Sequence, residues 1–275
     1  MTINSALYHS SLLKGKVALI TGGRSGIGYE VAQLFVSLGA KVIIASRNQE
    51  LLAQAQKTLT PKQEPVSAIP CDIRNLDQIK NLTTQINKQF GRLDILINNA
   101  GGQFPSLAEN LKEKGWDAVI NNNLNGTFYI TKAMANTFFI PQNSGVIVNV
   151  IANIIRGFPG MAHTGAARAG VENLTKTLAQ EWATHQIRIN CVAPGIIASS
   201  GLSTYPKEIQ AVFEHAKEVI PFKRFGDSKE VANAICFLAS DLSSYISGTT
   251  LYVDGAQHLN YDNLALVEAL KKFLK

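Results

Sequence analysis

Three glycines at positions 22, 26 and 28, in "KVALITGGRSGIGYEVAQLF", have the spacing of an anion cradle. They lie between a short run rich in Val, Leu and Ile and a run with helical periodicity. Gly22 and Gly26 permit a tight turn and close approach of the backbone to a ligand, and Gly28 lets the helix pack closely on the strand. The free N–H groups at the helix start, around Ser25, Gly26 and Ile27, then face a pyrophosphate. A glycine-rich run alone is weak evidence. Its strand–turn–helix context makes it specific.

The next question is which dinucleotide such a cradle would hold. An acid after the second strand would bind a ribose 2′-hydroxyl. Here that strand ends in "ASRN", which puts Arg47 in the region, and Arg24 sits inside the glycine loop. Two guanidiniums can clamp a 2′-phosphate through forked, charge-assisted hydrogen bonds. The alternative is two solvated surface arginines. NADP(H) is the expected cofactor.

These residues need a scaffold, and the rest of the chain supplies its pattern. "KVALIT", "KVIIAS", "VSAIP", "DILINNA", "GVIVNVI", "RINCVAP" and "TTLYVDG" are apolar runs without clean alternation, as in strands buried on both faces. Helical runs lie between them. One spans Gly28 to Leu38 with Val31, Leu34, Phe35 and Leu38 on one face; others begin near Asn48, Asn75, Lys112, Met161 and Ser228. This alternation predicts the α/β class, with a Rossmann-type, doubly wound parallel sheet of about seven strands in a single domain over residues 1–275. Residues 202–226 interrupt the rhythm and are expected to form a small substrate lid. Residues 262–274 read as a final amphipathic helix with a basic end.

Composition narrows the class. The 275 residues are 46% hydrophobic and 17% charged, which suits a sizeable core. The net charge of +6 comes without a long Lys/Arg run, so no nucleic-acid partner is expected. Cys71, Cys191 and Cys236 lie among apolar neighbours in no metal-binding spacing, and are read as reduced core residues. The first sixteen residues lack an apolar run suited to a secretion signal, and no stretch approaches the roughly 18 apolar residues of a membrane span. The chain ends "FLK" and not in a peroxisomal "SKL"-type address. A cytoplasmic protein without a membrane partner is expected.

"TGGRSGIG", "CDI" at 71–73, "NNAGG" at 98–102, "NNLNG" at 122–126 and "APG" at 193–195 resemble the short-chain dehydrogenase/reductase family, in family order and over nearly the whole chain. The resemblance implies that Asp72 and Ile73 bind the adenine, and that Asn99, Ala100, Gly101 and Gly102 line the ribose and the substrate side. It implies that Pro194, Gly195, Ile197 and Ser199 hold the nicotinamide carboxamide. The family's active site is Asn, Ser, Tyr and Lys, with Tyr-x-x-x-Lys on one helix face. Aligning "AARAGV" with the family's "AAKAGV" puts Arg168 at the lysine, Thr164 at the tyrosine and Ala152 at the serine. Asn123 alone matches. Asn123, Thr164 and Arg168 are therefore the catalytic candidates.

These departures change the expected chemistry. Arg168 keeps a cation whose fork can hold two ribose hydroxyls, but it cannot usefully deprotonate. A threonine hydroxyl is a poor acid, and no tyrosine lies between Asn149 and Glu172. Carbonyl reduction needs a proton on oxygen as hydride arrives. Reduction of an activated C=C bond needs only donors for an enolate oxygen, with a later proton to carbon. "GGQFPS", "NGTFY", "HTGAARAGV" and "IRINCVAPG" also resemble the peroxisomal trans-2-enoyl-CoA reductases within the family. The expectation is NADPH-dependent reduction of a trans-2-enoyl thioester. The alternatives are a 2,4-dienoyl-CoA or 3-oxoacyl-thioester reductase, or a silent NADP(H)-binding protein. The resemblance and the apolar late segments imply a homotetramer.

Several residues keep two readings. Asn153 either contacts substrate or structures its loop. Tyr205, in the lid, either packs or brings in its hydroxyl. His163 either packs or caps the helix, or carries a proton. Glu172, one turn beyond Arg168, pairs with the guanidinium or acts as an acid.

Overall fold

The first strand, β1 (Val17–Thr21), is buried along its whole length because it lies inside a parallel sheet with helices on both faces. The computed structural model describes residues 8–60, 66–198, 217–259 and 271–272. Within these, β1 is joined by β2 (Lys41–Ser46), β3 (Ser67–Pro70), β4 (Ile95–Asn98), β5 (Gly145–Val150), β6 (Ile187–Pro194) and, at the far edge, β9 (Thr250–Val253). The order is β3-β2-β1-β4-β5-β6-β9, and every pairing is parallel. All seven expected strands are present. A two-residue ladder between β7 (Ile197–Ala198) and β8 (Gly226–Asp227) was not foreseen.

Side-chain alternation divides the core. Ala18 and Ile20 face one side with Val31, Leu34 and Phe35 of α1 (Gly26–Ser37) and Leu52 of α2 (Gln49–Leu59). Val17 and Leu19 face the other with Ile79, Leu82 and Ile86 of α3 (Leu76–Phe90). Each such Leu or Ile contributes about 1.5–3 kcal/mol by leaving water. The helix starts follow from their caps. The side chains of Asn48 and Asn75 accept from the first turns of α2 and α3.

The second half continues with α4 (Glu113–Ile120), a π turn at Asn121–Asn125, α5 (Gly126–Met134), a second π turn at Ala135–Phe139 and α6 (Ile140–Gln142). Then come α7 (Ala162–Glu181) and α8 (Ser228–Ala239), which packs beside α1. The strand order reverses between β1 and β4. In a doubly wound sheet this switch point opens a crevice above the carboxyl ends of the strands.

One polar row crosses the sheet at that edge. The register aligns Thr21, Asn98, Asn149, Cys191 and Thr250 on neighbouring strands. Asn98 Nδ2 donates to Thr131 Oγ1 of α5 at 2.7 Å and to Asn149 Oδ1 at 2.8 Å. Asn149 Nδ2 donates to Thr175 Oγ1 of α7 at 2.8 Å. These buried bonds pin α5 and α7 to the sheet at fixed height, because breaking any of them strands a buried polar group.

Of the expected lid, residues 202–216 lie outside the described residues; Lys217–Val219 forms a short 3-10 turn that leads to β8. The expected last helix also falls mostly outside them, with residues 271–272 helical. Among the described residues no helix is long and apolar enough to cross a membrane, and no His, Cys, Asp and Glu group could hold a metal.

Candidate functional site

The glycine loop closes the crevice from the β1 side. Gly22 has φ of +70°, and a methyl group there would meet Asn99 Nδ2 at 2.8 Å and Ala100 Cα at 3.0 Å. Only glycine suits both constraints. At Gly28 a methyl group would collide with the same Asn99 amide. Ser25 is the N-cap of α1, yet its hydroxyl makes no capping bond, and the first turn of α1 carries no acid. The N–H groups around Gly26 and Ile27 thus lack a side-chain cap, and a helix N-terminus of this kind can receive an anion.

Asn99 serves this loop in a way the sequence did not reveal. Its Nδ2 donates to the carbonyls of Thr21 at 3.1 Å and Gly22 at 3.3 Å. The Thr21 hydroxyl accepts from the backbone N–H groups of Asn99 and Ala100 at 3.1 and 3.0 Å. Thr21, unremarked in the sequence, therefore braces the β4 loop against the glycine loop.

Arg24 and Arg47 are exposed and form no hydrogen bond or ion pair with the described residues. Arg47 is close enough to Asp72 to help hold its carboxyl below the usual range, although the larger cause is the hydrogen bond from Arg74. Arg74 Nη2 lies 2.6 Å from Asp72 Oδ2. Ile73 is buried against Gly126. No carboxylate follows β2; Asn48, two residues past its end, is occupied as the cap of α2.

α7 brings Thr164 and Arg168 to one buried face. Arg168 reaches the β4 loop, where its Nη2 fills the place that a side chain at Gly101 would take. It has no hydrogen-bond or ion-pair partner among the described residues. Burial pushes its pKa down to about 10, so it is still a cation at neutral pH. A buried cation without an acceptor is costly. Ligand oxygens would relieve that cost, and the guanidinium fork suits a pair of vicinal hydroxyls. With the open helix start, this makes the residues present fit a dinucleotide.

Asn123 is fully buried in the π turn, a backbone form often found at functional sites. Its Oδ1 accepts from Gly102 N and its Nδ2 donates to Gly102 O, both at 3.0 Å. The amide thus holds the end of the β4 loop. Asn153 braces its loop: Nδ2 donates to Asp254 Oδ2 at 3.0 Å. Asp254, also missed in the sequence, takes the backbone N–H groups of Ala256 and His258 at 3.1 and 2.7 Å. It lies directly under Gly195, where a methyl group would meet its Cβ at 2.7 Å. Pro194 and Ile197 are buried on either side of this turn. Ser199 and Tyr205 lie outside the described residues.

Glu172 is a correction to the expected Arg–Glu pair. Its Oε1 accepts from Lys176 Nζ at 3.1 Å and Thr250 Oγ1 at 3.0 Å. Long side chains on a helix lean toward its N-terminus. The guanidinium of Arg168 is carried away from Glu172, toward Gly101.

A doubly wound sheet, an anion-cradling loop at its switch point, and a buried cation and hydroxyl across the crevice define a dinucleotide-binding oxidoreductase. Residues 22–258 match the family model described as enoyl-(acyl carrier protein) reductase. The chain is 42% identical over 247 residues to 3-oxoacyl-(acyl-carrier-protein) reductase FabG of Thermotoga maritima, covering 88% of this chain and 98% of that one. It is 38% identical over 250 residues to a probable 2,4-dienoyl-CoA reductase, (2E)-enoyl-CoA-producing, of Bacillus subtilis, covering 90% and 98%. A solved short chain dehydrogenase from Bacillus anthracis superposes with a TM-score of 0.81 at 40% identity, covering 89% and 97%. The chain belongs to the short-chain dehydrogenase/reductase family, whose reductases use nicotinamide cofactors.

Proposed function

We propose that this protein is an NADPH-dependent reductase of the 2,3 double bond of trans-2-enoyl thioesters. The observation that carries the reading is the pairing of Thr164 with Arg168 on one buried face of α7, with no tyrosine from Asn149 to Glu172. When bound, NADPH supplies the hydride. Arg24 and Arg47 clamp its 2′-phosphate, Arg168 holds the nicotinamide ribose, and the turn at Gly195 receives the carboxamide. Thr164 donates one hydrogen bond to the thioester oxygen as that oxygen gains charge. Asn123 keeps Gly102 and its loop in place. The proton for the α-carbon comes from water, so the chain needs no residue of phenol-like acidity.

Two relatives carry names that favour a second reading within the same chemistry, a 3-oxoacyl-thioester or 2,4-dienoyl-CoA reductase. An NADPH oxidation assay with crotonyl-CoA, a dienoyl-CoA and acetoacetyl-CoA side by side separates them. Turnover on crotonyl-CoA should exceed the other two. Robust reduction of acetoacetyl-CoA with none of crotonyl-CoA would overturn the proposal. No reduction at all, with tight NADPH binding, would leave a silent cofactor-binding protein.

The reading includes a cytoplasmic homotetramer. Tyr245, fully exposed, and Leu242, 59% exposed, support a buried contact between copies near the last strand. A light-scattering mass near the 29.8 kDa of one chain at micromolar concentration would refute the tetramer.

A further inference from the structure

We propose that His163 is a second hydrogen-bond donor to the substrate's carbonyl oxygen, acting beside Thr164 as a neutral imidazole. The inference rests on the thioester-reductase reading and names a group that takes over part of the missing phenol's electrostatic work.

The ring's protonation follows from its bonds. His163 is fully buried at the start of α7. Its Nδ1 accepts the backbone N–H of Thr164 at 2.8 Å and lies 3.4 Å from Thr164 Oγ1. The Thr164 N–H is shared between Nδ1 and the Met161 carbonyl, 3.0 Å away; with Nδ1 as an acceptor, the proton of the neutral imidazole is assigned to Nε2. Burial pulls the pKa of His163 below its ordinary value, against a smaller opposite effect of the Met161 carbonyl, which keeps the ring neutral near pH 7. Nε2 is itself buried and has no hydrogen-bond partner among the described residues. Such a stranded N–H costs about 1–3 kcal/mol. Capping the helix does not require it, since a side-chain oxygen would accept the same backbone N–H without a second nitrogen to strand.

The ring packs between Thr164, itself fully buried, and the loop that follows β4. Thr164 holds one side. On the other, Phe104 meets the ring edge to face, with centroids 4.6 Å apart and planes at 83°. Phe104 belongs to the loop that carries Gly101 and Gly102, and it is 39% exposed. His163 is therefore held between this loop and the hydroxyl proposed to meet the thioester oxygen.

The chemistry suits a neutral donor. Hydride adds its electron pair to the β-carbon, the C=C pair moves toward the carbonyl, and the oxygen becomes an enolate. A proton from water then completes the α-carbon. Two electrons and two hydrogens have been added, and His163 keeps its proton throughout. A neutral imidazole can polarise a carbonyl oxygen in this way without protonating it.

The test compares His163→Gln, whose amide N–H can reach the Nε2 position, with His163→Leu, which has no donor. On crotonyl-CoA, His163→Leu should lose about 100-fold in kcat with NADPH affinity unchanged, and His163→Gln should recover most of the loss. Equal, small changes in kcat with similar falls in Tm would show a packing role and overturn the proposal. In native protein with ¹⁵N-labelled histidine, the His163 Nε2 resonance should shift when butyryl-CoA and NADP⁺ are added together. An unmoved resonance also overturns it, whether or not the variants fold. If the native enzyme reduces only 3-oxoacyl thioesters, the functional reading fails separately, and the Gln–Leu comparison on that substrate still decides His163.

Discussion

The guanidinium of Arg168 rests against Gly101, in the place that a side chain at position 101 would take. Residues from two separate motifs, the β4 loop and α7, thus act as one unit. A methyl group at Gly101 must push the guanidinium off its position. Gly101→Ala should weaken NADPH binding by about tenfold or more, roughly 1.4 kcal/mol. Arg168→Ala should do the same, and the double variant should bind no worse than the worse single one, because both act through one contact. Additive losses in titration calorimetry would separate the two residues.

Arg24 and Arg47 form no hydrogen bond or ion pair with the described residues, and the strand end beside them carries no carboxylate. NADPH should bind at least about tenfold tighter than NADH. Replacing both arginines by alanine should erase most of that preference, chiefly by weakening NADPH. Equal affinities in the native protein would sink the assignment.

The amide of Asn123 bonds both backbone groups of Gly102 from a fully buried position. Asn123→Ala removes both bonds to Gly102, which is exposed, at a cost of about 0.5–1.5 kcal/mol for each bond. Thermal unfolding should come several degrees lower, at about 2–4 °C per kcal/mol. Turnover should fall as Gly102 loosens. An unchanged Tm would mean that water replaces the amide without loss.

The fold was legible because its signals are local. Apolar runs marked β1 to β6 and β9, and Asn48 and Asn75 stand as caps at the expected helix starts. What escaped is contact between distant segments. Nothing in "NNNLN" marks a π turn, since its residues also suit an ordinary helix. Asp254 and Asn153 are 101 residues apart and meet only because β5, β6 and β9 lie side by side. The i, i+4 spacing pointed Glu172 at Arg168, but spacing does not record which way a long side chain leans. His163 was read as a packed or capping residue, or a proton carrier; its unpaired Nε2 follows only from three-dimensional packing.

Thr164 and Arg168 should separate in kinetics. Thr164→Val keeps the buried shape and removes one hydroxyl. Losing one donor to a developing oxyanion costs about 100-fold or more. Turnover on crotonyl-CoA should fall by that order with NADPH affinity nearly unchanged. A loss confined to NADPH affinity would assign Thr164 to the cofactor instead.

The burial of Arg168 sets a pH limit that a lysine could not meet. Even with its pKa depressed to about 10, the guanidinium stays a cation through neutral pH. NADPH affinity in the native protein should therefore show no break from Arg168 between about pH 6 and 9. An ammonium starts lower, near 10.4, and the same burial depresses it further. In Arg168→Lys the cation should be present at low pH and lost within the neutral to mildly alkaline range. NADPH binding by that variant should accordingly weaken from pH 6.5 to 9 by more than about tenfold. The native protein, titrated in the same buffers, corrects for ionisation of the ligand and of other groups. Parallel pH profiles for the two proteins would mean that the cation at this position does not face the cofactor.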